Sequence, residues 1–100
     1  MSRQSDDPVT DNNSRSLNII NEKGLHARAS AKFVETVEKF DAEAIVEKDG
    51  LEAAGDSIMG LLMLAASKGT SIDVRTEGPA ALALADALEE LVADKFGEDQ

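Results

Sequence analysis

Hydrophobic and polar positions alternate along four short runs of the chain, and each run predicts a β-strand. The predicted strands cover residues 16–21, 42–48, 51–54 and 70–76. Asp49 and Gly50 separate the second run from the third, and Asp-Gly between alternating segments is a strong signal for a hairpin. The second and third strands are therefore predicted to pair antiparallel.

Three other segments carry apolar residues at the spacing of one helix face, and they predict three helices. The predicted helices cover residues 27–39, 58–64 and 80–95. Asp56 and Ser57 precede the second helix, and either side chain can cap its first free backbone N–H groups. The order βαββαβα predicts an α+β domain, with a four-stranded, mainly antiparallel sheet and three helices on one face.

Composition divides the chain into one domain and two short ends. Residues 1–14 are mostly polar, with too few apolar groups to offset the entropy of ordering them, and are predicted to be a flexible extension. Residues 15–96 form the predicted domain, which is long enough to bury a single core without disulfides or metals. Residues 97–100 are predicted to be a short acidic tail.

Charge and residue types exclude several classes of function. The net charge is −10, so the chain lacks the cationic surface on which binding to nucleic acid or to an anionic membrane depends. There is no cysteine, and one histidine among scattered carboxylates matches no recognised spacing of metal ligands. We therefore expect no metal and no cofactor. The first residues also lack the basic and apolar regions of a signal peptide, so we expect a cytoplasmic protein. We also expect a monomer.

His26, the only histidine, lies where the first predicted strand gives way to the first helix. Free backbone N–H groups and the helix dipole attract an anion to such a position. An imidazole nitrogen is a nucleophile, and Arg28 provides a guanidinium of the kind that binds phosphoryl oxygens. The residues alone leave a second interpretation open, in which His26 is only a polar cap and Arg28 a solvated side chain.

Two segments resemble those of HPr, the family of histidine-containing phosphocarrier proteins of bacterial phosphotransferase systems. The active-site signature of that family is similar to Gly24-Leu25-His26-Ala27-Arg28-Ala29-Ser30. Its regulatory serine segment is similar to Asp56-Ser57-Ile58-Met59-Gly60-Leu61. The resemblance extends from about residue 16 to residue 92, and the predicted order of elements is that of the open-faced β-sandwich of HPr.

The resemblance implies a phosphocarrier, which is an intermediate in phosphoryl transfer and not a turnover enzyme by itself. His26 would accept on Nδ1 a phosphoryl group that enzyme I draws from phosphoenolpyruvate, and would pass it to a histidine of enzyme IIA. Arg28 matches the active-site arginine of the family, and the backbone N–H groups of Ala27 and Arg28 would hold the phosphoryl oxygens. Ser57 matches the serine that HPr kinase/phosphorylase modifies in some bacteria.

Apolar residues near the two motifs are predicted to form a docking patch for enzyme I and enzyme IIA, although a place in the core is the other interpretation. The predicted docking residues are Leu25, Ile58, Met59 and Leu62. On the same helix, Leu61 and Leu64 are assigned to the core.

Two positions depart from the family pattern. Ala29 stands where a proline is common, which restores a backbone N–H, and Lys23 stands where an asparagine is frequent. Both variants resemble HPr proteins that serve regulation, including the nitrogen-related branch, so sugar transport and a regulatory phosphorelay both stay open. A further alternative is a regulatory interaction domain on the same scaffold, controlled through Ser57, in which His26 is merely structural.

Overall fold

The structure is a computed structural model, and it describes residues 11–100. Within them the chain forms a four-stranded antiparallel sheet in the order β1-β4-β2-β3. The strands are β1 (Asp11–Asn18), β2 (Glu43–Lys48), β3 (Leu51–Ala54) and β4 (Ser71–Gly78). The helices are α1 (Ala27–Glu38), α2 (Ile58–Met63) and α3 (Ala81–Ala93). The predicted α+β architecture and the order βαββαβα are confirmed.

β1 begins earlier than its hydrophobic pattern indicates. The register against β4 pairs Asp11 with Gly78. The polar first half of the strand is therefore defined by its antiparallel pairing with β4 and not by a hydrophobic pattern. The flexible extension predicted for residues 1–14 is therefore wrong for residues 11–14. Residues 1–10 lie outside the described part of the chain.

The core lies between the helices and the sheet face that they cover. Every second residue of β4 is buried, and α1 buries positions at helical spacing, because each element turns one face towards the same interior. The largest fully buried apolar side chains are Ile19, Phe33, Val46, Leu61, Ile72, Leu84, Leu88 and Phe96. Leu61 and Leu64 belong to the core, as predicted.

The C-terminal segment differs most from the prediction. α3 ends at Ala93, and Lys95–Gly97 form a tight turn whose three residues have φ of 57°, 56° and 78°. Phe96, at its centre, is fully buried. Residues 97–100 then run back along the domain, where the main-chain oxygen of Gln100 accepts a hydrogen bond from the Glu22 N–H at 3.0 Å. They pack against the domain near α1 and are not a tail that leaves it.

None of the helices within residues 11–100 has the length and apolar character needed to cross a membrane.

Candidate functional site

The turn before α1 fixes where the site lies. Asn21 and Gly24 close it, with the Gly24 N–H donating to the Asn21 carbonyl at 3.2 Å. Gly24 has a φ of +66°, and a Cβ there would lie 2.5 Å from the carbonyl oxygen of Ala66, so only glycine fits. The Leu25 N–H donates to that same oxygen at 2.8 Å. The chain is thereby held against the segment after α2 just before it reaches His26.

His26 is the N-cap residue of α1, as its place in the sequence predicts. Its backbone is extended, with φ −82° and ψ −173°, and its carbonyl accepts the Ser30 N–H at 2.8 Å. Its Nδ1 accepts the Arg28 N–H at 3.3 Å. The side chain is 28% exposed. Nδ1 is therefore turned towards the N–H groups of the first helical turn, which have no partner inside the helix.

The other ring nitrogen, Nε2, hydrogen-bonds one carboxylate oxygen of Glu98. The second oxygen accepts from Asn21 Nδ2 at 2.9 Å, and the same Nδ2 donates to the Gly24 carbonyl at 2.9 Å. Burial raises the pKa of Glu98, but hydrogen bonds from Asn21 and His26 and the charge of Lys23 hold it below its ordinary value. Because an ionised carboxylate only accepts, Nε2 carries the ring proton and Nδ1 the lone pair.

An open cleft of about 680 Å³ lies over this corner of the domain. Its charged lining is mixed, with cations on Lys23 and Arg28 and carboxylates on Glu22, Glu98 and Asp99. Arg28 is exposed, so its guanidinium can move towards an anion held near Nδ1. The predicted site residues His26, Ala27 and Arg28 thus share one cleft.

Ser57 is the N-cap residue of α2, as predicted. Its backbone is extended, with φ −118° and ψ 108°, and its Oγ accepts the Gly60 N–H at 3.0 Å. The Ser57 N–H donates to the Ala54 carbonyl at 3.1 Å. The residue is half-buried, so the hydroxyl combines a capping role with partial access to solvent.

The outer face of α2 is apolar and exposed. Ile58 is 40% exposed and Met59 is 70% exposed, whereas Leu62 is half-buried. Met63, which the sequence did not single out for docking, is 73% exposed. A surface of large apolar side chains on so short a helix is typical of a protein-binding site.

The comparisons with known proteins agree on one family. The family model described as "PTS HPr component phosphorylation site" matches residues 13–94. The chain belongs to the HPr family. It is a phosphocarrier protein of the phosphotransferase system.

Relatives and solved structures of HPr match along nearly their whole length. The phosphocarrier protein HPr of Neisseria meningitidis is 46% identical over 86 residues, which cover 86% of this chain and 97% of that protein. HPr of Xylella fastidiosa is 45% identical over 83 residues, covering 83% and 93%. The crystal structure of HPr-C-His from Thermoanaerobacter tengcongensis has a TM-score of 0.84 at 38% identity, covering 88% of this chain and 99% of that one. The predicted HPr-like open-faced sandwich is confirmed.

One residue of the predicted HPr docking patch lies elsewhere. Leu25 is only 3% exposed and belongs to the core, so the prediction that it contributes an exposed apolar surface is wrong. The cause is the bond from its N–H to Ala66, which draws this part of the chain beneath the segment after α2. The exposed residues of the patch all come from α2.

Two polar residues of the site have no counterpart in the sequence-based prediction. Asn21 was assigned to the end of a strand, yet it is fully buried in the turn, and Glu98 was assigned to a tail. The spacing of Asn21 and Gly24 is a recognisable β-turn signal, and it could have placed Asn21 in the turn. No sequence signal joins Glu98 to His26, because the contact spans 72 positions.

Among residues 13–100, whose side chains the structure describes, no three His, Cys, Asp or Glu side chains are grouped so that they could hold a metal ion.

Proposed function

We propose that the chain accepts a phosphoryl group on Nδ1 of His26 from phosphorylated enzyme I, which draws it from phosphoenolpyruvate. The chain then passes the group to a histidine of an enzyme IIA. The observation that carries the proposal is the orientation of the ring, with Nε2 bonded to Glu98 and Nδ1 turned to the N-terminus of α1. This orientation leaves the lone pair of Nδ1 available as a nucleophile.

In the first transfer, the Nδ1 lone pair forms a bond to phosphorus. The bond between phosphorus and the donor nitrogen breaks, and the donor ring keeps the electron pair. In the second transfer, Nδ1 of His26 is the leaving nitrogen and an enzyme IIA histidine is the nucleophile. The chain gains and loses the same group, so it is a carrier and returns to its starting state.

The first turn of α1 supplies donors for the phosphoryl oxygens. The N–H groups of Ala27, Arg28 and Ala29 occupy the first three helical positions, where a helix provides no internal acceptor. The Arg28 N–H donates to Nδ1 in a long hydrogen bond of 3.3 Å. A phosphoryl oxygen can replace Nδ1 as the acceptor of this N–H. A proline at position 29 would lack the N–H that Ala29 carries, but Ala29 is fully buried, so the accessible donors are those of Ala27 and Arg28.

Enzyme I and enzyme IIA would dock in turn on the exposed face of α2. Ile58, Met59 and Leu62 supply apolar contact area, and Met63 extends it. The net charge of −10 suits partners that present basic side chains around an apolar centre. Both partners would therefore use one surface, and each would have to leave before the other binds.

Ser57 is the regulatory site in this proposal, in bacteria that have HPr kinase/phosphorylase. A phosphoryl group on its Oγ would place a charge of about −2 beside Ile58 and Met59 on the docking face. Docking would have to remove water from that charge at an apolar contact, which costs free energy and weakens binding. The alternative function is a regulatory interaction domain controlled through Ser57 with a structural His26, and the position of Ser57 beside the exposed face of α2 favours it.

Phosphoryl uptake tests the proposal and separates it from the alternative. Incubation with enzyme I and phosphoenolpyruvate should add one acid-labile phosphate to the wild-type chain and none to His26→Ala. Ser57→Asp should slow uptake on the order of tenfold, because docking on the apolar face of α2 would have to desolvate the added charge. Ser57→Ala is the control and should take up phosphate as the wild type does.

Phosphate retained on His26→Ala would defeat the assignment of the carrier residue. Absence of uptake by the wild-type chain, together with partner binding that responds to Ser57→Asp and ignores His26→Ala, would favour the interaction domain. Circular dichroism of each variant checks that the fold is retained.

A further inference from the structure

The segment that brings Glu98 to His26 is anchored on both sides. Before Glu98, the side chain of Phe96 is fully buried and its carbonyl accepts from Lys32 Nζ at 2.8 Å. The Glu98 N–H donates to the Lys95 carbonyl at 3.0 Å. After Glu98, the main-chain oxygen of Gln100 accepts from the Glu22 N–H. A carboxylate held in this way is a fixed part of the site.

The turn at Lys95–Gly97, which directs this segment towards His26, has an unfavourable backbone conformation. Lys95 and Phe96 have φ of 57° and 56°, a left-handed conformation that is disfavoured for residues with a Cβ. Such strain persists where surrounding contacts over-determine it, and it is concentrated at functional sites. Here the buried ring of Phe96 and the Lys32 bond hold the turn.

Each oxygen of the Glu98 carboxylate accepts a hydrogen bond from a different side chain. One oxygen accepts from Nε2 of His26, and the other accepts from Nδ2 of Asn21 at 2.9 Å. Asn21 is fully buried, and its Oδ1 has no partner within the described chain. Turning the amide over would point that oxygen at the Gly24 carbonyl and at the carboxylate, so the donors must face them. The Oδ1 of Asn21 is therefore left without a hydrogen bond, while its Nδ2 binds Glu98.

We propose that Glu98 is a positioning residue of the phosphocarrier site: it holds the proton on Nε2 of His26, which keeps the lone pair on Nδ1, and it balances the charge that the ring acquires. The second part rests on the proposed function. A carboxylate that orients an imidazole and stabilises the cation formed on it is a known arrangement in catalysis.

The charge follows from the balance of the transfer step. When the Nδ1 lone pair bonds to phosphorus and the donor nitrogen departs with its electron pair, the ring of His26 still carries its Nε2 proton. The ring is therefore cationic in the phosphorylated form. The bond from Nε2 to Glu98 changes from a neutral donor and an anion to an ion pair, so Glu98 stabilises the phosphorylated form more than the free form.

Proton NMR of the unphosphorylated, full-length chain tests the first part without any transfer reaction. The wild type should show a His26 Nε2–H resonance that exchanges slowly with water, because the carboxylate holds the proton. Glu98→Ala should lose that resonance to exchange. Asp99→Asn is the matched control, since it removes the same charge from an exposed neighbour in the same cleft and should keep the resonance.

The equilibrium with enzyme I and a fixed ratio of phosphoenolpyruvate to pyruvate tests the second part. Glu98→Gln should shift the ratio of phosphorylated to free chain downward on the order of tenfold, because a neutral amide replaces the ion-pair partner. Its single oxygen also cannot accept from both Asn21 and His26. Asp99→Asn should leave the ratio within about twofold of the wild type.

A persistent Nε2–H resonance in Glu98→Ala, or an equal shift of the equilibrium in Asp99→Asn, would overturn the role of Glu98. Either result leaves the carrier function intact. Conversely, uptake of phosphate by His26→Ala would end the carrier assignment while the resonance data still report on Glu98. The two failures are therefore distinguishable.

Discussion

The N-terminus of α1 and the N-terminus of α2 are each capped by a polar side chain on an extended residue, but the two caps have different surroundings. Ser57 Oγ accepts the Gly60 N–H at 3.0 Å, a contact made within its own helix. His26 Nδ1 accepts the Arg28 N–H at a longer 3.3 Å, and its second nitrogen is held by Glu98 from the far end of the chain.

The difference shows how a helix cap can be oriented for the reaction that we propose at His26. Ser57 is placed by local chemistry, and its hydroxyl satisfies a backbone donor of a short helix. His26 is placed by the adjacent turn at Gly24 and by two groups that are distant in sequence, the carbonyl of Ala66 and the carboxylate of Glu98. The cap bond of His26 is the weaker one, and the ring is oriented mainly from outside its helix.

The largest expected effect comes from the glycine that precedes the α1 cap. Gly24→Ala should lower the free energy of unfolding by at least about 2 kcal/mol, because it places a Cβ in a left-handed residue against a backbone oxygen. Neither the 2.5 Å contact to Ala66 nor the 2.9 Å contact to the Cα of Ser67 can be relieved by moving a side chain. Chemical denaturation monitored by circular dichroism measures the loss.

Gly60→Ala, inside α2, is the matched control. A Cβ at Gly60 would meet the Cβ of Ala53 and the Oγ of Ser57, both at 3.1 Å and both in side chains. Alanine also has a higher helix propensity than glycine by about 1 kcal/mol, which opposes that crowding. We expect a change within about 1 kcal/mol of zero. Equal losses for the two variants would contradict the claim that only the α1 cap is fixed from outside.

A smaller effect is expected at the α2 cap itself. Ser57→Ala leaves the Gly60 N–H without its side-chain acceptor, and should cost about 1 kcal/mol in the free energy of unfolding. Ser57→Asp keeps an acceptor at the same position and should restore most of that stability. If thermal denaturation shows Ser57→Asp to be as unstable as Ser57→Ala, the cap is not the source of the loss.

The two caps also differ in how far the sequence predicts them. The Asp49-Gly50 hairpin, the cap at Ser57 and the cap at His26 follow from short-range patterns, and the structure confirms each of them. The burial of Leu25 cannot be predicted from such patterns, because it depends on a hydrogen bond to Ala66, 41 positions away in the sequence.

The sequence does not predict the early start of β1 or the path of residues 97–100, and the reasons are related. The first half of β1 is polar and is defined by its pairing with β4. The turn that carries Glu98 to His26 has left-handed residues at Lys95 and Phe96, where the sequence offers neither glycine nor asparagine. Contacts between distant segments fix both features, and single-sequence periodicity does not contain such contacts.

The smallest expected effect is a difference in pH dependence between the caps. The pKa of Glu98 is below its ordinary value of 4.5 because Asn21, His26 and Lys23 outweigh its burial. A depressed carboxyl pKa stabilises the fold above the ordinary value, and that stabilisation is lost as the pH falls through the lower, folded value. Glu98→Gln should therefore be less stable than the wild type near neutrality, and the gap should narrow as the pH falls below 4.5 and through the lower, folded pKa of Glu98.

Ser57→Ala provides the contrast, because a hydroxyl does not titrate over this range, and its cost should stay constant with pH. Other carboxylates titrate equally in the wild type and in each variant, so they cancel in the differences. The free energies of unfolding of the three proteins, measured by urea denaturation from neutrality into acid, give both differences. A gap between wild type and Glu98→Gln that stayed constant or grew in acid would mean that the ionised carboxylate does not stabilise the α1 cap.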